Sequence, residues 1–410
     1  MNNRVLFRTG FMAAALAACG AALAAMDGHQ HGAGDQCDDA RFACAVEATP
    51  TFAKDGSLWL TWSSPSRIHV ARSTDLGRSF SAPVEITRGP EKIDHSADAR
   101  PQIVVDGAGR VTVGYQVMTD VRFQGEIYHA TSTNGGRSFS APRQINVDPA
   151  GKRFLSLNLD PGGHIFATWV DKRGLAAAQA AGRPYSGAAV YGAWSYDGGA
   201  TFGEPLSIGE QTCECCRLSV DFAGAGKPVV VWRNLFGDAR DHAITTFRSA
   251  GVVGPINRVS DDDWKIDACP HHGPSVAVAP NGDYHVAWFT ASDKRKGLFY
   301  AHSTDAGVTF SEPQPFGTAG RQPSRPRLLS VKNDLWLAWR EYDGTATDVM
   351  VMHSGDSGRT WSAPRSFARS TGTVDHPLLV SNGRDVFVSW LTRAEGYRLL
   401  PLKVADIAPR

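Results

Sequence analysis

Apolar runs of four or five residues, most of them closed by tryptophan, recur along the chain. They read Leu58-Trp59-Leu60-Thr61-Trp62, Val111-Thr112-Val113-Gly114-Tyr115, Ile165-Phe166-Ala167-Thr168-Trp169, Val229-Val230-Val231-Trp232, His285-Val286-Ala287-Trp288, Leu335-Trp336-Leu337-Ala338-Trp339 and Val386-Phe387-Val388-Ser389-Trp390. Runs this short, alternating with a period of two and separated by Gly, Asp and Asn, predict antiparallel strands. Another strand with a small lead-in comes before each, as in Arg100-Pro101-Gln102-Ile103-Val104-Val105 and Gly273-Pro274-Ser275-Val276-Ala277-Val278. A third and a fourth strand follow. The chain is therefore expected to be all-β, built from seven successive units.

Five copies of an eight-residue pattern, S-x-D/N-x-G-x-S/T-F/W, join third strands to fourth. The first is Ser73-Thr74-Asp75-Leu76-Gly77-Arg78-Ser79-Phe80; the others begin at Ser132 (with Asn134 in the Asp place), Ser195, Ser303 and Ser354. Four of the five run on into Ser-x-Pro, as in Ser81-Ala82-Pro83. The short carboxylate can accept backbone N–H groups and lock a tight turn. Gly supplies the left-handed backbone there, and the closing aromatic is expected to anchor the hairpin against its own blade. A period of roughly 50 to 60 residues belongs to stacked or radial repeats.

The pattern resembles the Asp box, or BNR repeat, of sialidase-like β-propellers. The resemblance implies a propeller whose boxes lie at turns away from the active site, reporting fold and not chemistry. Seven blades are expected, with the six-bladed sialidase type as the alternative. The fourth unit has no box around residues 248–254, and the seventh ends after three strands. Residues 26–45 are therefore expected to supply a ring-closing strand ahead of a propeller spanning residues 46–410.

Composition narrows the partners. A net charge of +1 with 20% charged residues gives no basic face for nucleic acid. Residues 1–25 read as a signal peptide: Arg4 and Arg8, an apolar run, then Ala22-Leu23-Ala24. Leu16-Ala17-Ala18-Cys19 offers a second reading, a lipoprotein anchored through Cys19. Either places the protein in the periplasm or secreted, with no transmembrane span following. In such an oxidising compartment Cys37 and Cys44 are the natural disulfide pair.

The other cysteines stand in Thr212-Cys213-Glu214-Cys215-Cys216-Arg217 and Asp267-Ala268-Cys269-Pro270-His271-His272-Gly273, both just ahead of an inner strand. Such lead-ins emerge on one face of a propeller, around the channel mouth, so these thiols and imidazoles should converge. Thiolate with imidazole selects copper or zinc. The expectation is a metal site of Cys213, Cys215, Cys216, Cys269, His271 and His272, with copper as occupant and zinc as the alternative. In an extended backbone, Cys215 and Cys216 would face opposite sides. Two disulfides joining the fourth and fifth units are the competing expectation. Asp94-His95, Asp98-Ala99-Arg100, Asp375-His376 and Asp241-His242 are placed on the same face, and His29-Gln30-His31 is a weaker metal feature.

The resemblance also implies an alternative: a sialidase-like glycoside hydrolase or glycan-binding protein. Sialidases of this kind use three arginines on the substrate carboxylate, a Tyr nucleophile paired with Glu, and an Asp acid/base. Arg100, Arg153, Arg217, Arg233, Arg340 and Arg393, with Glu341-Tyr342 and Asp98, are the matching types here. The family's early Arg-Ile-Pro motif is absent; Glu47-Ala48-Thr49-Pro50 stands in its place. A binding protein is accordingly expected over an enzyme, acting in metal capture, delivery or redox handling. The loop over residues 171–187 is open to a periplasmic or outer-membrane protein partner. His69, His129, His302 and His353 recur at matching third-strand places and are read as structural.

Overall fold

The computed structural model describes residues 42–95, 98–121 and 124–407. Strand pairing divides them into seven consecutive antiparallel units, over residues 48–85, 102–144, 152–212, 219–258, 275–316, 322–371 and 378–402. Six have four strands and the last has three. The third and fourth units are joined into one sheet by a single pair, Thr212 with Asn234. The first strand of each unit touches that of the next, and Ala48–Phe52 of the first touches Leu378–Ser381 of the last. The protein is a β-propeller, whose closure leaves no open sheet face between units.

The aromatic-ended runs are the second strands. Trp62, Trp169, Trp232, Trp288, Trp339 and Trp390 are all fully buried between neighbouring sheets. A buried indole N–H needs an acceptor, and three second strands supply it two residues on. Trp169 donates to Asp171 at 2.8 Å, Trp232 to Asn234 at 3.0 Å and Trp339 to Glu341 at 2.7 Å.

All five boxes fold alike. In the fourth copy, Ser303 Oγ donates to Asp305 at 2.7 Å and accepts the Gly307 N–H at 2.9 Å. Asp305 then accepts Thr309 N–H at 2.9 Å and Thr309 Oγ1 at 2.6 Å. The trailing Ser explains Ser-x-Pro: Ser311 N–H donates to His302 O at 2.8 Å, and its Oγ accepts the His302 N–H at 3.1 Å. The box aromatics differ from the expectation, because they reach the preceding unit. Trp361 meets Tyr300 edge-on at 5.0 Å, Phe202 meets His129 at 5.0 Å, and Phe80 of the first unit meets Tyr397 of the last at 5.9 Å. The box glycines approach the same neighbour: a Cβ on Gly136 would lie 2.4 Å from Trp59 Cη2. Each box braces the unit before it.

Two joints have no such brace. Between the third and fourth units, the Thr212–Asn234 pair and a 2.7 Å bond from Trp194 Nε1 to Ala250 O take its place. Between the sixth and seventh, the helix Val404–Ile407 buries Ile407 against Val349 and Val351.

Of residues 26–45, expected to supply a closing strand, only 42–45 are among the described residues. Residues 42–45 form no strand; Phe42 packs on Trp62 and Phe80, and Ala43 O accepts from Arg393 at 3.1 Å. The signal segment, Cys19, His29, His31 and Cys37 lie outside the described residues. Residues 171–187 are not a plain loop: Arg173–Ala180 is helical, with Arg173 paired to Asp171 at 2.8 Å. The recurrent histidines pack on aromatics, as His69 does on Trp62 and His353 on Trp336. No helix among the described residues is long and apolar enough to cross a membrane.

Candidate functional site

Inner-strand lead-ins do crowd together at the mouth, and ion pairs tie them across the ring. Asp98, ahead of the second unit, takes Arg325 of the sixth at 2.8 Å and Arg217, ahead of the fourth, at 3.2 Å. Arg100 pairs with Asp375 at 2.6 Å and donates to Ala48 O at 2.9 Å, tying the second unit also to the seventh and the first. Asp94 holds Arg153 through two bonds of 2.8 and 3.1 Å. Burial raises the Asp98 carboxyl, but Arg325 and Arg217 outweigh it and hold it well below the usual carboxylate range.

Backbone irregularities aim these groups. The first strand of the sixth unit, Gln322–Val331, bulges between Ser324 and Arg327, and Arg325 sits there at φ 59°. Phe154, beside Arg153, has φ 59° at a second pairing shift. Left-handed backbone on a branched or bulky side chain costs energy, and bulges re-aim side chains next to sites.

The mouth carries more guanidinium than carboxylate. Arg327 has no ion pair or hydrogen bond among the described residues; burial and the repulsion of Arg217 and Arg100 depress its pKa. Arg340 likewise forms no ion pair and donates only to Ser324 Oγ, at 3.1 Å. Beside it a cavity of about 830 Å³ opens between the fifth and sixth units. Lys296, Arg321, Arg325 and Arg340 line it with His272, Phe289 and Tyr342; no Asp or Glu does. Arg321 is committed to Asp348 at 2.7 Å, whereas Lys296 and Arg340 have no acidic partner among the described residues.

The residue types expected for sialidase chemistry are placed otherwise. Glu341 is fully buried and spends Oε1 on Trp339 and on Thr318 N–H, each at 2.7 Å. Tyr342 is exposed and donates to Gly344 O at 2.7 Å, so this Tyr and Glu are not partners. Asp98 is held ionised and lacks the proton a general acid would give. Arg233 is architectural: it donates to Arg240 O, His272 O and Phe289 O and lies over Trp264. Asp171 and Asp238 pair with Arg173 and Lys265.

The thiols form a second centre. Cys213, Cys215 and Cys216 are buried, and Cys213 Sγ lies 3.5 Å from Cys215 Sγ and 3.6 Å from Cys216 Sγ. All three sulfurs fall within 4.8 Å of one another. The expectation from extended backbone fails because the chain turns at Glu214-Cys215, after Gln211 at φ 58°. Arg233 O fixes that turn by accepting Cys213 N–H at 2.9 Å and Thr212 Oγ1 at 3.0 Å. Cys269 is exposed and lies near Cys215 but outside the trio. The four are free thiols, so the two inter-unit disulfides are not present. Hydrogen bonds from Cys215 and Cys216, with Arg233 nearby, pull the Cys213 thiol well below its ordinary value.

The imidazoles are not in that cluster. His272 stacks on Phe289 with centroids 4.0 Å apart, and His271 stands at φ 50° with its carbonyl accepting from Arg325. His242 lies on the strand Ala239–Thr246 with both ring nitrogens buried and without a partner among the described residues. Burial, then neighbouring arginines, keep His242, His272 and His376 neutral at physiological pH. Arg325 and Arg327 escaped the sequence reading. Their signal is Ser324-Arg325-Pro326-Arg327, which repeats the Arg-Pro lead-in of Arg100-Pro101.

No known family profile matches the chain, and neither does any curated protein. Solved structures do. An ulvan lyase superposes with a TM-score of 0.57 at 11% identity, over 92% of this chain and 98% of that one. A Hadza microbial sialidase gives 0.52 at 17%, over 86% and 74%. A protein of unknown function from Dyadobacter fermentans gives 0.52 at 17%, over 77% and 95%. At these identities the likeness is one of fold, a β-propeller of the kind sialidases and polysaccharide lyases share.

Proposed function

We propose that the chain is an exported Asp-box propeller of the sialidase-like superfamily that binds an acidic saccharide, carboxylated or sulfated. The carrying observation is the cavity between the fifth and sixth units, lined by four cationic side chains and no carboxylate, with Arg340 unpaired. A guanidinium fork suits carboxylate and sulfate oxygens, and the exposed Tyr342 offers flat apolar surface to a sugar ring. The ulvan lyase of like fold is seen bound to a glucuronate–sulfated rhamnose unit. Binding without hydrolysis is favoured, because Glu341 serves Trp339 and Asp98 serves two arginines.

Calorimetry with glucuronate-bearing and sulfated oligosaccharides, against neutral ones of equal length, tests this. Acidic ligands should bind, more weakly as salt rises. A charge-assisted contact contributes about 1.5–3 kcal/mol, so Arg340→Ala should weaken them by roughly 10- to 150-fold. Equal affinity for neutral sugars, or an unchanged Arg340→Ala, refutes it. Copper capture by the thiols is a separate activity, favoured by the sulfur geometry and developed next.

A further inference from the structure

The sulfurs of Cys213, Cys215 and Cys216 are arranged as a ligand set is. Ligands about 2.3 Å from a central ion stand about 3.8 Å apart in tetrahedral and 4.0 Å apart in trigonal geometry. Here the two closest separations are 3.5 and 3.6 Å, with all three atoms inside 4.8 Å. Packing alone does not require three thiols on one turn to point at one another, and no imidazole or carboxylate joins the group. A buried all-sulfur set excludes hard cations and selects soft ones.

Charge separates the soft candidates. Three thiolates around a monovalent ion carry two negative charges. Two cationic residues answer them: Arg240 Nη1 lies 3.5 Å from Cys213 Sγ, and Arg233 is tied to Cys213 through its carbonyl, which accepts the Cys213 N–H at 2.9 Å. With zinc the same assembly would be left positive and one ligand short of four. Cys269, exposed, beside Cys215 and outside the mutual cluster, stands where an ion would first arrive.

We infer that Cys213, Cys215 and Cys216 form a buried three-sulfur site for a monovalent soft cation, Cu(I), loaded by way of Cys269. Binding exchanges thiol protons for the ion and leaves its oxidation state unchanged. The site is independent of the saccharide cavity, and either activity stands without the other.

The full-length protein, purified and reduced under anaerobic conditions, is titrated with Cu(I) supplied as its bathocuproine disulfonate complex. One equivalent per chain should leave the chelator, and X-ray absorption should show a first shell of three sulfurs and no nitrogen. Cys213→Ser, Cys215→Ser and Cys216→Ser should each abolish stoichiometric uptake. Cys269→Ser should keep the stoichiometry and slow the loading. Arg240→Gln should weaken binding by roughly 10- to 100-fold, as loss of outer support for a metal site does. Near-UV circular dichroism reports whether each variant is folded; if the buried serines prevent folding, the wild-type absorption spectrum decides alone. Full-length protein with reduced thiols that takes up no Cu(I), a shell containing nitrogen, a folded Cys216→Ser that binds as wild type does, or a disulfide within the trio overturns the site.

Discussion

Replacing Asp98 by Asn removes one negative charge from the point where three propeller units meet. The carboxylate is fully buried and takes Arg325 at 2.8 Å and Arg217 at 3.2 Å, whose side chains are 9% and 6% exposed. Water cannot reach either guanidinium well enough to replace the lost partner, so no surface discount applies. Breaking a buried pair from one side costs about 3–5 kcal/mol. With about 360 described residues and an unfolding entropy of about 2.1 cal/mol/K per residue, that loss lowers Tm by about 4–7 °C. The folded-state carboxyl lies below its ordinary value, so its stabilisation is complete above the unfolded pKa and fades as pH falls toward the folded one. Asp98→Asn should therefore flatten the acid side of the stability profile while lowering the neutral plateau. Scanning calorimetry and urea titration from neutral to acid pH measure both. A plateau within about 1 °C of wild type would show the arginines already neutralised elsewhere.

Other perturbations probe the braces. Gly136→Ala places a Cβ 2.4 Å from the buried Trp59 at a backbone φ of 78°, and should cost about 2–4 kcal/mol in urea unfolding. The carboxyls of Asp75, Asp305 and Asp356 are held down to about 2, first by the hydroxyl bond from Ser79, Thr309 or Thr360. Their stabilisation is present above the usual Asp range and lost as pH falls from about 4 toward 2, so the triple Asn variant should lose less Tm over that interval than wild type. Ile407→Ala should empty the contact closing the sixth joint, costing about 2–5 kcal/mol, read as a fall in the urea midpoint.

The strands were legible because each apolar run has to bury an aromatic ring between two sheets, an indole in six of the seven, a demand local enough to leave a period in the chain. Box geometry was legible for the same reason: Ser303, Asp305, Gly307 and Thr309 bond within seven residues of one another. The direction of the box aromatics was not, since whether Trp361 meets its own unit or Tyr300 depends on how sheets stack. The convergence of Cys215 and Cys216 was hidden by a single left-handed residue, Gln211, which no periodicity announces. The pairing of Asp98 with Arg325, 227 positions away, belongs to the closed ring and has no local trace. Arg-Pro at 100–101 and 325–326 was the one written clue to it.

The uneven distribution of braces gives the ring a division of labour. Five joints are held by copies of one device, and at those joints the chain has little freedom to vary without losing its neighbour. The joint between the third and fourth units has no copy, and its one cross-sheet pair, Thr212 with Asn234, adjoins Cys213. An ion seated on the three sulfurs would sit beside the hinge that the repeat leaves unfastened. Its arrival would be felt as stiffness across that seam, so hydrogen exchange along Leu206–Thr212 and Pro228–Phe236 would report occupancy from well outside the ligand sphere.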